Sequence, residues 1–304
     1  MKGIILAAGK GTRLYPITHG ICKTLLPVYN KPMIYYPLSV LMLAKIREVL
    51  IITCEEFIEH FRSLLGDGSH LGISISYKIQ ERPDGIAQAF HIAEDFIGNE
   101  TACLVLGDNI FHGHRLPEIL NEAKERVQEE GGAVIFGYNV SNPQMYGVAE
   151  ICDNRVVGIV EKPKIPKSNW AVVGLYMYDN DVIKISKNVK PSDRGEIEIT
   201  SVNQEYMKKE KLEMTTMGRG YTWFDTGNPE DLFSASSFVR MVENRQGLKI
   251  ACIEEIAYYM GYISLEDMCT IAKDLSGTEY GKYLNKLVEY ESVTREGIFK
   301  YDQR

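Results

Sequence analysis

Short apolar, β-branched runs alternate with amphipathic stretches through the first half of this chain, and that alternation narrows the possible folds more than any other feature. Strands are expected at residues 3–8, 49–53, 73–78, 102–106 and 133–140, with helices between them at 34–44, 57–65, 86–96 and 116–129. In the last of these, Leu116, Ile119, Leu120, Ala123 and Val127 fall on one helical face. Alternating β and α elements predict an α/β fold, a Rossmann-like doubly wound sheet, mixed but mostly parallel, with helices on both faces. The pattern then changes. Runs at 148–151, 156–160 and 172–178 are joined by short connections such as Asp153-Asn154, which suits antiparallel additions to that sheet. After Gly227 a stripe of Leu232, Ala235, Phe238, Val239 and Val242, and further helices at 265–272 and 280–290, predict a helical C-terminal portion. The expected organisation is a domain over 1–227 and a helical part over 228–304, whose polar end from about Ser292 is expected to be loosely ordered.

At 304 residues, 45% hydrophobic and 25% charged, the chain can bury a sizeable core. No run approaches the ~18–20 apolar residues of a membrane span. The opening Met1-Lys2-Gly3-Ile4-Ile5-Leu6-Ala7-Ala8 is too short for a secretory leader. It reads as a first buried strand, and a cytoplasmic protein with no membrane partner is expected. The six cysteines are scattered without a C-x-x-C pair, so they read as buried free thiols rather than a zinc site or a disulfide framework. A net charge of −7 argues against a nucleic-acid-binding surface. It also requires any polyanionic ligand to be held by a few local cations and a metal.

Leu6-Ala7-Ala8-Gly9-Lys10-Gly11-Thr12-Arg13-Leu14 directly follows the first strand. Small residues there let backbone N–H groups approach phosphates. A dinucleotide fingerprint would need glycine where Leu14 stands and an acidic residue about 20 positions on. A Walker A loop is absent. Arg13 and Lys23 instead offer a fork-shaped and a point cation beside the loop, which suits a triphosphate, although either alone would ordinarily be a solvated surface charge. Asp108 ends the apolar run 102–106 beyond a glycine, and ligands of an open parallel sheet bind beyond the carboxyl ends of its strands. Asp225 lies between Trp223 and Thr226-Gly227. Two aspartates from distant segments fit a magnesium ion that keeps waters and phosphate oxygens as its other ligands. The bland alternative makes Asp108 a turn residue and Asp225 a helix cap. His112-Gly113-His114 puts two imidazoles on one face, but no third ligand at zinc spacing is nearby.

These segments resemble the signature of the sugar nucleotidylyltransferases, and within them the bacterial glucose-1-phosphate thymidylyltransferases. The match runs through Gly9-x-Gly11-Thr12-Arg13-Leu14, Lys23-x-Leu25-Leu26-Pro27 and Lys31-Pro32-Met33-Ile34. It continues in Gln80-x-x-Pro83-Asp84-Gly85-x-Ala87-Gln88-Ala89, Leu106-Gly107-Asp108-Asn109-Ile110 and Tyr146-Gly147-Val148. Glu161-Lys162-Pro163, Arg194-Gly195-Glu196-Ile197-Glu198-Ile199-Thr200 and Gly220-Tyr221-x-Trp223-x-Asp225-Thr226-Gly227 follow in order.

The resemblance implies transfer of a thymidylyl group from dTTP to glucose-1-phosphate, as a first step of dTDP-sugar synthesis such as that of rhamnose, with Mg²⁺ on Asp108 and Asp225. The nucleotide-binding part would be about 1–110, using Leu6, Ala8, Gly9, Gly11, Thr12, Arg13, Lys23, Gln80, Gly85 and Asp108. Gln88 and Asp84 could share the base pocket. The sugar-phosphate part would be about 111–227, using Tyr146, Gly147, Glu161, Lys162, Val173 and Arg194. A homotetramer is implied, with a regulatory nucleotide site involving His114, Arg219, Lys249, Glu255 and Tyr259. Two departures stand out. Ala8 replaces the second residue of the branch's usual Ala-Gly-Gly, as in related uridylyltransferases, so UTP is the alternative nucleotide. Tyr259 and Met260 stand where close relatives have a basic pair. A third reading, a catalytically silent regulatory homologue, sits poorly with the presence of Arg13, Lys23, Asp108, Lys162 and Asp225 together.

Overall fold

The protein is described by a computed structural model over residues 1–152, 155–192 and 195–293. The Asp153-Asn154 connection, Arg194 and the tail from 294 lie outside the described residues. The strands are β1 (Lys2–Leu6), β2 (Pro27–Val28), β3 (Lys31–Pro32), β4 (Glu48–Thr53), β5 (Ser74–Ile79), β6 (Ala102–Leu106) and β7 (Asn109–Gly113). Then come β8 (Ala133–Asn139), β9 (Gly147–Cys152), β10 (Arg155–Glu161), β11 (Trp170–Tyr178), β12 (Leu212–Met217) and β13 (Tyr221–Asp225). One mixed sheet runs β10-β9-β11-β6-β1-β4-β5, with β8 and β12 added beyond β11. Its β5-β4-β1-β6 half is wholly parallel, while β11 pairs antiparallel with β6, β8 and β9.

Order and register position the site. Leu6 pairs with Ile52 on one side and Leu106 on the other, so the loops after β1 and β6 leave the sheet side by side. The chain steps from β1 out to β4 and β5 and then crosses to the far side of β1 for β6. A crevice opens at such a reversal, outside the carboxyl ends of the strands.

Helices cover both faces. They are α1 (Tyr35–Leu43), α2 (Ile58–Leu65), α3 (Gln88–Ile92), α4 (Glu94–Ile97), α5 (Leu116–Glu130), α6 (Asp181–Asn188) and α7 (Ile199–Lys208). The C-terminal part adds α8 (Pro229–Gln246), α9 (Ile253–Tyr259), α10 (Leu265–Asp274) and α11 (Glu279–Val293). Period-two alternation splits the strands between two cores. Ile5, Ile51 and Val105 pack with α1, α2 and α5, whereas Ile4, Ile52 and Leu104 pack with α3, α6 and α7. Helix α1 is apolar nearly all round and buried accordingly. Asn228 caps α8 by accepting from the Asp231 N–H at 3.0 Å, and Ser264 forms a capping box with Asp267 on α10.

The structure departs from the sequence expectation in particular places. The helix expected over 86–96 is broken at Ala93 into α3 and α4. Strands β2, β3, β7, β12 and β13 and helices α6 and α9 were not anticipated. The six cysteines are all free, but Cys152 is exposed and Cys54 and Cys269 are only partly buried. No helix among the described residues is long and apolar enough to cross a membrane.

Candidate active site

The loop after β1 is shaped for close approach. The Gly107 N–H donates to the Leu6 carbonyl at 2.9 Å and the Ala7 N–H to the Ile52 carbonyl at 2.7 Å, tying the loop base to both neighbours of β1. Gly9 has open space where a Cβ would be. Gly11 is left-handed at φ 61°, and a Cβ there would press on Thr18 and Lys23 at 3.1 and 3.2 Å. From it a 3₁₀ turn, Thr12–Leu14, buries Leu14 and projects Arg13. Ala8 is not among the non-glycine residues with positive φ, so alanine replaces glycine there without backbone strain.

Arg13, Lys23, Asp108 and Asp225 line one cleft of about 290 Å³ above β1 and β6, together with Leu6, Gly9, Tyr146, Gly147, Glu161 and Lys162. Arg13 lies across Gly227, where an added methyl would sit 2.5 Å from a guanidinium nitrogen and 3.1 Å from Asp225 Oδ1. Lys23, only 8% exposed, forms an ion pair with Asp108. Burial alone would raise the Asp108 carboxyl. The Lys23 ammonium overrides it, helped by Asn109, and holds the group below its ordinary range.

Asp225 ends β13, which pairs antiparallel with β7, Asp225 opposite Asn109. The helix-cap alternative for Asp225 is therefore wrong, since the α8 cap is Asn228. Asp225 is pushed up to about 6, first by burial and then by the Asp108 negative charge, against the pull of Lys23 and Arg13. Two carboxylates that line one cleft, close enough for the charge of Asp108 to raise Asp225, are hard oxygen donors that fit a divalent cation.

Sequence reasoning missed Asn109, although it sits in a quoted block. Its Oδ1 accepts from the Gly174 N–H (3.0 Å) and Trp223 Nε1 (2.7 Å), and its Nδ2 donates to Asp108 Oδ1 (2.9 Å). A polar residue opening the otherwise apolar Asn109-Ile110-Phe111 is the one sequence signal it gave. Tyr176 was also missed. It lines the cleft within an apolar strand, and burial, with Glu161, Asp108 and Asp225 nearby, keeps its phenol neutral.

On the sugar side, Glu161 Oε2 accepts from Thr200 Oγ1 at 2.5 Å, and Lys162 Nζ lies 3.9 Å from Glu161 Oε1. Lys162 has φ 41°, an unusual backbone for a side chain of its size. Its N–H bonds to the Tyr146 carbonyl at 3.0 Å. A Cβ on Gly147 would stand 3.2 Å from both Glu161 and Thr200. Val173 is fully buried in the α5-side core, and its neighbour Val172 lines the cleft, so Val173 can contribute only through its backbone.

At the other end Gln80 Nε2 donates to Gln88 Oε1 at 2.6 Å, and Gln88 Nε2 to Asp84 Oδ2 at 3.2 Å. Gly85, φ 116°, is required by the chain itself, because a Cβ would lie 2.4 Å from the Ile197 carbonyl oxygen. Neither Gln80 nor Gly85 lines the cleft, though Ile86 does. Of the expected regulatory residues, His114, Lys249 and Glu255 share a separate cavity of about 80 Å³ with His112 and Phe111. Arg219 is exposed between β12 and β13. Tyr259 does not line that cavity and donates to Glu291 Oε1 at 2.8 Å.

Comparison with known proteins adds the family. The family model described as nucleotidyl transferase matches residues 2–241. A glucose-1-phosphate thymidylyltransferase of Neisseria meningitidis is 54% identical over 290 residues, covering 95% of this chain and all of that one. One from Mycolicibacterium smegmatis is 50% identical over 96% of this chain and all of its own length. Among solved structures, a Bacillus anthracis chain crystallised with sucrose superposes with a TM-score of 0.73 at 42% identity, covering 79% of this chain and 95% of that one. A UDP-glucose pyrophosphorylase crystallised with UDP-glucose gives 0.69 at 26% identity, covering 79% and 98%.

Proposed function

The chain belongs to the nucleotidyl transferase family, and from that premise we propose that it transfers a thymidylyl group from dTTP to glucose-1-phosphate, releasing pyrophosphate and dTDP-glucose. The observation that carries the reading is one cleft lined by the glycine-rich loop, two cations, two aspartates and the Glu161–Lys162 pair. Full-length relatives at 50–54% identity bear the same activity in their names.

Phosphoryl-type transfer asks little covalent chemistry of a protein, so positioning and charge neutralisation dominate. The loop N–H groups and Arg13 would hold the triphosphate, and Lys23 would exchange Asp108 for phosphate oxygens. Lys162 would hold the sugar phosphate with one oxygen in line with the α-phosphorus, Glu161 and the Gly147 and Val173 backbone would take the sugar hydroxyls, and Tyr146 would wall the pocket. Arg194 would add a second phosphate contact. Gln80 and Gly85 would face the base. No general base is needed, because a sugar phosphate is already an anion near pH 7. The family works with a divalent metal. Here Mg²⁺ on Asp108 and Asp225 would neutralise charge on the reacting phosphates.

Residues 1–227 would carry the chemistry, with 228–304 supplying contacts of a cytoplasmic homotetramer. His114, Lys249 and Glu255 would form the core of a regulatory nucleotide site, with Arg219 and Tyr259 at its margin.

The test is pyrophosphate release across nucleoside triphosphates and sugar-1-phosphates. The thymine methyl is worth ~1 kcal/mol or somewhat more, so it should favour dTTP over UTP by less than tenfold in kcat/KM, and dUTP run alongside separates it from the ribose 2′-hydroxyl in which the two also differ. A strong preference for UTP would make Ala8 the better guide and the uridylyltransferase reading correct.

A further inference from the structure

We propose that Thr226 sets the spacing of the Asp108 and Asp225 carboxylates by gripping the main chain of Asp108. Thr226 is fully buried and directly follows Asp225. Its N–H and its Oγ1 both donate to the Asp108 carbonyl oxygen, at 3.1 and 2.8 Å. That carbonyl has two lone pairs, and Thr226 supplies a donor to each. The hydroxyl has a single proton. Met33 Sδ lies 3.3 Å from it, but a thioether is a weak acceptor beside a carbonyl at 2.8 Å.

The β7–β13 ladder ends at Asn109 opposite Asp225, and the Thr226 N–H is its next rung. A ladder end would ordinarily be free to fray. Here the hydroxyl adds a second bond to the same acceptor, directly beside the two aspartates. The Asp108 side chain is meanwhile fixed by Asn109 on Oδ1 and Lys23 on Oδ2. Thr226 holds the two chain segments together while Asn109 aims one of their carboxylates. It touches no substrate atom and is a positioning residue. Partners bonded to the ligating groups themselves typically change metal affinity by ~10–100-fold when removed, and a brace on the main chain beside the ligands belongs at the low end of that range.

The inference rests on the metal reading above, and direct metal binding separates the two. Mn²⁺ is titrated into the full chain, followed by water-proton relaxation, for wild type, Thr226→Ser, Thr226→Val, Thr226→Ala and Asp108→Asn. Thr226→Ser should bind Mn²⁺ within about twofold of wild type, and Thr226→Val and Thr226→Ala about tenfold more weakly. The Ser and Ala variants both lack the methyl and differ only in the hydroxyl, so they carry the test if Thr226→Val fails to fold. Wild-type affinity in Thr226→Ala, or a loss in Thr226→Ser equal to that in Thr226→Ala, overturns the brace. Undiminished Mn²⁺ affinity in Asp108→Asn overturns the metal reading instead, and the brace with it.

Discussion

Lys162 illustrates how a single residue can be read from sequence in kind but not in posture. Its charge after a strand marked it, yet its positive φ and half-exposed side chain are visible only in the fold. Strained backbone of this sort persists where surrounding contacts enforce it, here the bond to the Tyr146 carbonyl. Lys162→Ala should cut kcat/KM for glucose-1-phosphate by ~10–100-fold, the cost of a charge-assisted contact, with KM for dTTP within about twofold. Steady-state kinetics with each substrate varied in turn reads this. An equal loss for both substrates would move Lys162 away from the sugar phosphate. Arg13, Lys23, Asp108 and Asp225 were singled out because they fall in motif blocks that follow one another in order, whereas any one of them alone reads as a solvated charge, a turn or a cap. Asn109 was not, since its partners lie 65 and 114 positions away in sequence.

At the level of elements, the α9–α11 packing shows what periodicity cannot report. Helix α11 docks on α9 through buried acid–phenol bonds, Tyr280 to Glu254 at 2.5 Å and Tyr283 to Glu255 at 2.7 Å. Burial raises the Glu254 carboxyl above its ordinary range. A raised pKa means that its contribution to stability is full below the unfolded value and is lost as pH rises through the folded one. Glu254→Gln keeps an oxygen acceptor for Tyr280 and removes the buried charge. The variant should melt roughly 2–4 °C above wild type at pH 8, a shift worth about 1 kcal/mol, with the gap closing on acidification. Melting curves at several pH values decide it, and a gap that widens toward acid would show the carboxylate to be stabilising. Helices α5 and α8 were legible from their stripes. Strand β12 was not, because only Leu212 and Met217 at its two ends are buried, which hides the alternation. Strand β13 was read as a motif and not as a strand, and its pairing with β7 is what carries Asp225 to Asp108.

For the whole molecule, the α/β alternation was enough to predict a doubly wound sheet, and the reversal at β1 explains where its cleft lies. What could not be read was how β11 joins the two regions, pairing with β9 near its start and with β6 near its end. That fork sets Glu161–Lys162 in one cleft with the loop after β1. A chain of net charge −7 must concentrate its anion-holding power there. The central claim is that this cleft couples dTTP to a sugar phosphate through the Asp108–Asp225 pair. The measurement that tests it most directly is pyrophosphate release from dTTP with and without glucose-1-phosphate, in saturating Mg²⁺, for wild type and Asp108→Asn. The account predicts release that requires the sugar phosphate and a kcat lower by ~10²–10⁴ in the folded variant. Turnover of Asp108→Asn close to wild type would contradict it.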